Sequence, residues 1–268
     1  MIKYKKFYTD IYSFFILKKN INKSRLEKIF SLLRIDNTYK TTSYNRMVKI
    51  NKKLKKFMKN SFSKKVMICD FGVSSGQSTL ELYNDLNRKQ IKYIYGFDKQ
   101  IYLKIYKIKK LILLYSLKNE LLMVEYNKYC MRYRYYLILK KIKKLVIFLL
   151  NLFNVKYKKS NVLMPNLKKI DKCKFFEQNI FNIKKRYHNL FDVVRVSNLL
   201  NYSYFSEDKL RDAISNIRKI SKERSIILIN RTTRNKKDLA SFFIKKKGKF
   251  HLLEDVNGGP EIKKLVLE

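Results

Sequence analysis

Asp70-Phe71-Gly72-Val73-Ser74-Ser75-Gly76 and, 26 residues beyond Gly72, Asp98 are the residues whose types and spacing suit ligand chemistry. Glycine has no Cβ, so a ligand can approach the backbone closely at Gly72 and Gly76. Amides at the start of a following helix can face polar ligand groups. A carboxylate at Asp98 can accept hydrogen bonds from both hydroxyls of a ribose. The chain has only six glycines, and two of them stand four residues apart in this turn. Turn and acid together point to a nucleoside-containing ligand.

These residues need strands and helices to hold them. Val66-Met67-Ile68-Cys69-Asp70-Phe71 is a short apolar run of the kind that forms a buried strand. It enters the glycine turn, and residues 77–86 then read as a helix. A second apolar strand, residues 93–97, ends at Asp98. Residues 174–177 form a third strand ending near Asn179, residues 191–196 a fourth ending at Ser197-Asn198, and residues 225–230 a fifth. Between the fourth and fifth, Ser206-Glu207-Asp208 opens a helix through about residue 220, with acids where the helix dipole favours them. Residues 250–253 and 262–267 flank Asn257-Gly258-Gly259-Pro260 and read as a terminal strand pair. Strands alternating with helices predict an α/β fold with a mostly parallel sheet, whose ligands sit at the carboxyl ends of the strands.

The turn at residues 70–76, Tyr95-Gly96-Phe97-Asp98, Phe191-Asp192-Val193-Val194 and the terminal strand pair resemble class I S-adenosylmethionine-dependent methyltransferases. The resemblance covers about residues 60–98 and 171–268. It implies a Rossmann-like, seven-stranded, mostly parallel sheet with an antiparallel last strand, and S-adenosylmethionine as cofactor. By that resemblance Asp70, Gly72, Ser74 and Gly76 line the methionine and ribose end, and Asp98 holds the ribose hydroxyls. Asn179 takes the place near the adenine amine where family members often have Asp. Asn198 belongs to Arg195-Val196-Ser197-Asn198-Leu199-Leu200-Asn201, which is similar to the fourth-strand end of chemotaxis-receptor methyltransferases; it is counted with the cofactor residues. Asn198, Asn201, Tyr202 and Tyr204 could also face the methyl acceptor. Two departures stand out. Ser74 occupies a position where many members have glycine, and the link between the second and third strands is about 75 residues long.

Outside that core the sequence is strongly basic: 62 Lys and Arg against 21 Asp and Glu give a net charge of +41. Residues 1–60 carry 17 basic and 3 acidic side chains, and residues 99–170 carry 18 and 2. The expected organisation is a basic helical N-terminal extension over residues 1–60 and a methyltransferase-like domain over 61–268 with an insertion at about 103–170. Residues 25–33 and 48–58 have helical apolar spacing, with Ser24 as a candidate cap and Thr41-Thr42-Ser43 as a loop. Within the insertion, residues 121–139 suggest an extra strand pair. Residues 145–153 are apolar but too few to span a bilayer, leaving a core helix or an interfacial one.

The abundance of Lys, Ile, Asn, Tyr and Phe also fits AT-rich coding, which weakens charge as evidence of function. The competing reading is a non-catalytic methyltransferase-like fold that binds RNA or another acidic partner through its basic segments. A nicotinamide oxidoreductase fits less well, because the turn lacks Gly-x-Gly-x-x-Gly. Three scattered cysteines and two histidines give no metal site or disulfide framework, so none is expected. Asp10 interrupts the only N-terminal apolar run and no cleavage site follows, so the expected location is cytoplasmic. The methyl acceptor, the catalytic residues and the oligomeric state are not legible.

Overall fold

A computed structural model describes residues 7–17, 22–35, 38–39, 44–45, 47–130, 143–233, 235 and 237–268. The chain divides into two compact units, residues 1–42 with 100–165 and residues 43–99 with 166–268. The predicted loop at Thr41-Thr42-Ser43 and the part of the predicted strand pair at 131–139 lie outside the described residues.

In the second unit the elements run α1 (Val48–Ser61), β1 (Val66–Phe71), α2 (Gln77–Asp85), β2 (Ile91–Asp98), β3 (Cys173–Glu177), β4 (Phe191–Ser197), α3 (Glu207–Ile220), β5 (Ser221–Thr232), β6 (Asp238–Lys246), β7 (Lys249–Val256) and α4 (Lys263–Leu267). The sheet order is β3-β2-β1-β4-β5-β6-β7, and the first five strands are mutually parallel. Strand β1 is buried along its whole length because it lies inside the sheet with both faces covered. On one face α3 turns Leu210, Ala213, Ile214 and Ile217 onto Met67, Cys69, Phe71, Val194 and Val196. On the other, α1 and α2 bring Ile50, Leu54, Met58 and Leu82 onto Ile68, Val193, Ile226 and Leu228. The i, i+4, i+8 spacing of Ile50, Leu54 and Met58 makes that stripe, while the lysines between them face outward.

The seven strands and the reversed strand agree with the sequence reading; the terminal elements are placed differently. Strand β6 runs antiparallel to β5, and β7, the last strand, runs antiparallel to β6. The hairpin turns at Lys247-Gly248, both with positive φ, and not at Asn257-Gly258-Gly259-Pro260. Two positive-φ residues are what a tight hairpin turn needs, and lysine at the first of them hid it. Residues 263–267, expected as a strand, form α4.

The first unit carries a six-stranded antiparallel sheet in the order 7–8, 129–130, 121–126, 111–116, 102–108, 157–161, with helices at Ile11–Phe15, Lys23–Leu32 and Lys143–Leu152. The helix at 23–32 is capped by the Asn22 side chain, which accepts from Arg25 N–H at 2.9 Å; Ser24, the expected cap, lies inside the helix. The insertion was therefore richer in strands than the sequence suggested. Its turns place Lys109, Asn119, Asn127 and Lys128 at positive φ, with no glycine or proline to mark them.

A buried acid ties the N-terminal segment to this sheet. Glu125 Oε2 accepts from the Thr9 hydroxyl and, at 2.8 Å, from Ile11 N–H, while Oε1 has no partner. Burial raises the Glu125 pKa above the usual carboxylate range, with the Thr9 and Ile11 hydrogen bonds opposing. A raised folded-state pKa means that the folded chain holds this proton more tightly than the unfolded one. The stabilisation is complete below the unfolded value of about 4.3 and disappears as pH rises through the folded value. Urea titrations at stepped pH should therefore show wild type gaining stability relative to Glu125→Gln between about pH 7 and pH 4. A constant difference across that range would place Glu125 in a solvated site.

Candidate functional site

The carboxyl ends of β1, β2 and β4 converge where the strand order reverses, with β1 between β2 and β4. Such a switch leaves a crevice at the strand ends. The turn after β1 is fastened to the end of β2 by backbone N–H groups. Gly72 N–H donates to the Phe97 carbonyl at 2.9 Å, and Ser74 N–H donates to Asp98 Oδ2 at 2.9 Å. The predicted turn and the predicted acid thus lie in direct contact.

Gly72 has φ +81°, and a Cβ there would sit 3.0 Å from the Ser197 carbonyl oxygen at the end of β4. Gly76, also at φ 81°, begins α2 in the left-handed region. Glycine adopts both conformations without the clash an L side chain meets. Ser74 has the same problem without the same freedom: its φ is 52°. Its Oγ is buried and has no protein partner. Left-handed backbone costs a non-glycine residue about 1–2 kcal/mol. Ser74→Gly is accordingly expected to raise the unfolding free energy by about 1 kcal/mol in urea titrations. A loss of stability would mean that the hydroxyl is satisfied and the turn relaxed.

Asp70 does not project into the crevice as a ligand group. Its side chain is buried beneath α2, where Oδ1 accepts from Arg195 Nε at 2.8 Å and Oδ2 accepts from Arg195 Nη2 at 2.6 Å and from the Thr79 hydroxyl at 2.6 Å. Arg195 is itself fully buried. It faces Asp70 because the two residues are register partners on the adjacent strands β4 and β1. Around the guanidinium stand Ser78 and the Met47 sulfur, and that sulfur also lies 3.8 Å from Ser197 Oγ and 3.5 Å from Asn230 Nδ2. Sequence reading passed over Arg195 as a partner for Asp70. The available signal was a lone arginine inside an apolar strand, which needs a buried counter-charge.

The two asparagines are also engaged. Asn179, just beyond β3, accepts at Oδ1 from Phe181 N–H at 3.1 Å in a local turn. It lies beside the end of β2, since the next residue back, Gln178, donates its N–H to the Asp98 carbonyl at 2.9 Å. Asn198, at φ 55°, accepts at Oδ1 from Thr232 N–H at 2.6 Å and so joins the ends of β4 and β5. Asn201 is buried, and its Oδ1 has no partner. Tyr202 and Tyr204 are both 47% exposed, so neither is core packing.

No cysteine here is poised as a nucleophile. Burial, then the neighbouring Asp70 charge, raises the Cys69 thiol well above its usual range, and burial pushes Cys173 up to about 12. Among the described residues no three His, Cys, Asp or Glu side chains come together as a metal site.

No protein-family model and no curated protein matches the sequence. Solved structures do resemble the chain. The carbon methyltransferase CurJ is 14% identical, over 72% of this chain and 38% of its own length, with a TM-score of 0.39. A Plasmodium falciparum protein named as a protein-L-isoaspartate O-methyltransferase, in complex with S-adenosyl-L-homocysteine, is 19% identical over 86% of this chain and 79% of its own, with a TM-score of 0.37. An N-methyltransferase from Bradyrhizobium japonicum, also in complex with S-adenosyl-L-homocysteine, is 12% identical over 77% and 71%, with a TM-score of 0.38. These likenesses are distant, and the fold is read from this chain's own strands and turn. With five parallel strands in the order β3-β2-β1-β4-β5, a reversed strand beyond them, a glycine turn after β1 and an acid ending β2, the second unit has a Rossmann-like α/β fold.

Proposed function

We propose that the chain is an S-adenosylmethionine-dependent methyltransferase whose cofactor lies over residues 72–76 and against Asp98. The observation that carries this reading is the Ser74 N–H to Asp98 bond, which holds a turn with little side-chain bulk against a strand-end carboxylate. The residues suit the cofactor in three ways. Gly72 and Gly76 keep side-chain bulk out of the turn at two of its left-handed positions. Asp98 is a carboxylate at the strand end beside the turn, the type of group that accepts from a ribose diol. The buried Ser74 Oγ lacks a protein partner and could take a polar group of the ligand.

Asp70 acts differently from the role implied by the resemblance. Its contacts with Arg195 and Thr79 make it a positioning residue, fixing the start of the turn from below. Asn179 remains a candidate at the adenine end, where its Oδ1, which accepts from Phe181 N–H and has a second lone pair, could accept from the adenine amine. Asn198 holds strand ends together and so shapes the acceptor side rather than binding cofactor. Asn201, Tyr202 and Tyr204 stand on the segment after β4 where an acceptor would be held.

The cofactor, when bound, supplies a methyl group on an already electrophilic sulfonium. No covalent nucleophile is then required of the protein, whose part is to align the acceptor and exclude water. Isothermal calorimetry with S-adenosylmethionine and S-adenosylhomocysteine tests the reading. Saturable one-site heat from both ligands supports it; a folded wild-type chain giving heat with neither overturns it.

A further inference from the structure

The helix Lys143–Leu152 of the first unit has more apolar surface than the sheet beneath it can cover. Val146, Ile147 and Leu150 pack with Tyr106, Leu113, Tyr115 and Val124. The other flank is bare: Phe148 is 60% exposed, Leu152 61% and Phe153 72%, with Leu149 beside them. Two phenylalanines and two leucines open to water on one short helix and the residue after it form the kind of contiguous patch that marks an interaction surface.

The charge sign of this segment favours an anionic partner. From residue 126 to residue 170 the sequence has twelve Lys and Arg and no Asp or Glu. Beyond the helix, Lys156, Tyr157 and Lys159 are exposed. Tyr157 and Lys159 pair with Tyr106 and Lys104, which places them on the sheet face that the helix covers. An apolar centre with a tyrosine and lysines around it suits a bilayer interface, with rings at the acyl boundary and cations among headgroup phosphates. A second copy would set these lysines against one another. Spanning is excluded for this helix, since ten residues rise about 15 Å against a hydrocarbon core of about 30 Å.

We propose that the Phe148–Phe153 face docks the chain on a membrane surface rich in anionic lipid. The inference stands apart from the methyltransferase reading, because it uses no residue of the cofactor site. Flotation of the full chain with phosphatidylcholine vesicles, with and without phosphatidylserine, tests it. Wild type should float with the anionic vesicles, poorly with neutral ones, and less in high salt. Phe148→Ser with Phe153→Ser should lower anionic-vesicle partitioning about tenfold or more, since both rings leave the interface. Both side chains are exposed, so the unfolding midpoint should not move, and Leu252→Ser, exposed in the other unit, should float like wild type. Equal flotation of wild type and the double variant overturns the proposal, as does no flotation of wild type. Light scattering that shows a dimer dissolved by the double variant, without flotation, assigns the face to a second copy instead.

Discussion

Arg195→Leu is expected to lower the unfolding free energy by about 3–5 kcal/mol, because it strips a buried carboxylate of its counter-charge. The reason is what remains behind. Asp70 is buried, with both oxygens turned to the guanidinium, and leucine would leave its carboxylate in the protein interior with Thr79 as its one remaining partner among these contacts. An uncompensated buried charge costs far more than the pair contributes over an apolar alternative. Asp70→Leu combined with Arg195→Leu should therefore recover most of the loss, because the double change leaves no orphaned charge. Urea unfolding of the wild type, both single variants and the double variant gives the coupling directly. If Arg195→Leu falls within about 1 kcal/mol of wild type, the two side chains do not share a dry site.

The pair also explains why some of the site was legible and some was not. Residues 66–71 read as a strand because six consecutive buried positions admit mainly apolar side chains, and Gly72 and Gly76 read as a turn because glycine is rare elsewhere. Asp98 was legible for the same local reason: an acid that ends an apolar run stands at a strand end. The purpose of Asp70 was not local. It depends on β4 lying beside β1, a contact across 125 residues that no nearby spacing encodes. The strand-end contact of Asn198 was hidden for a related reason. Its left-handed φ and its bond to Thr232 make it a strand-end connector, and only the β4–β5 pairing shows that. The terminal hairpin and the insertion went partly unread because Lys247, Lys109 and Asn127 take turn conformations that glycine usually marks.

The cofactor proposal has its sharpest consequence at Asp98. Asp98→Ala should weaken S-adenosylhomocysteine binding about 10²-fold or more, as two hydrogen bonds to an ionised acceptor at about 1.5–3 kcal/mol each are removed. The same substitution also takes the Ser74 N–H contact from the turn, so loss of affinity alone could reflect a displaced loop. Two comparisons separate these effects. Asp98→Asn keeps a carbonyl for Ser74 N–H and for one hydroxyl; its affinity should fall only about tenfold, with an unchanged unfolding midpoint. An analogue lacking both ribose hydroxyls supplies the second comparison. If Asp98 grips the diol, wild type should bind that analogue about as weakly as Asp98→Ala binds either ligand, and the substitution should cost nothing further. If Asp98 acts solely by holding the turn, the substitution should weaken both ligands by the same factor in calorimetry, and the carboxylate would then be a positioning residue like Asp70. Equal affinity of wild type and Asp98→Ala for S-adenosylhomocysteine would remove the strand-end acid from the site altogether.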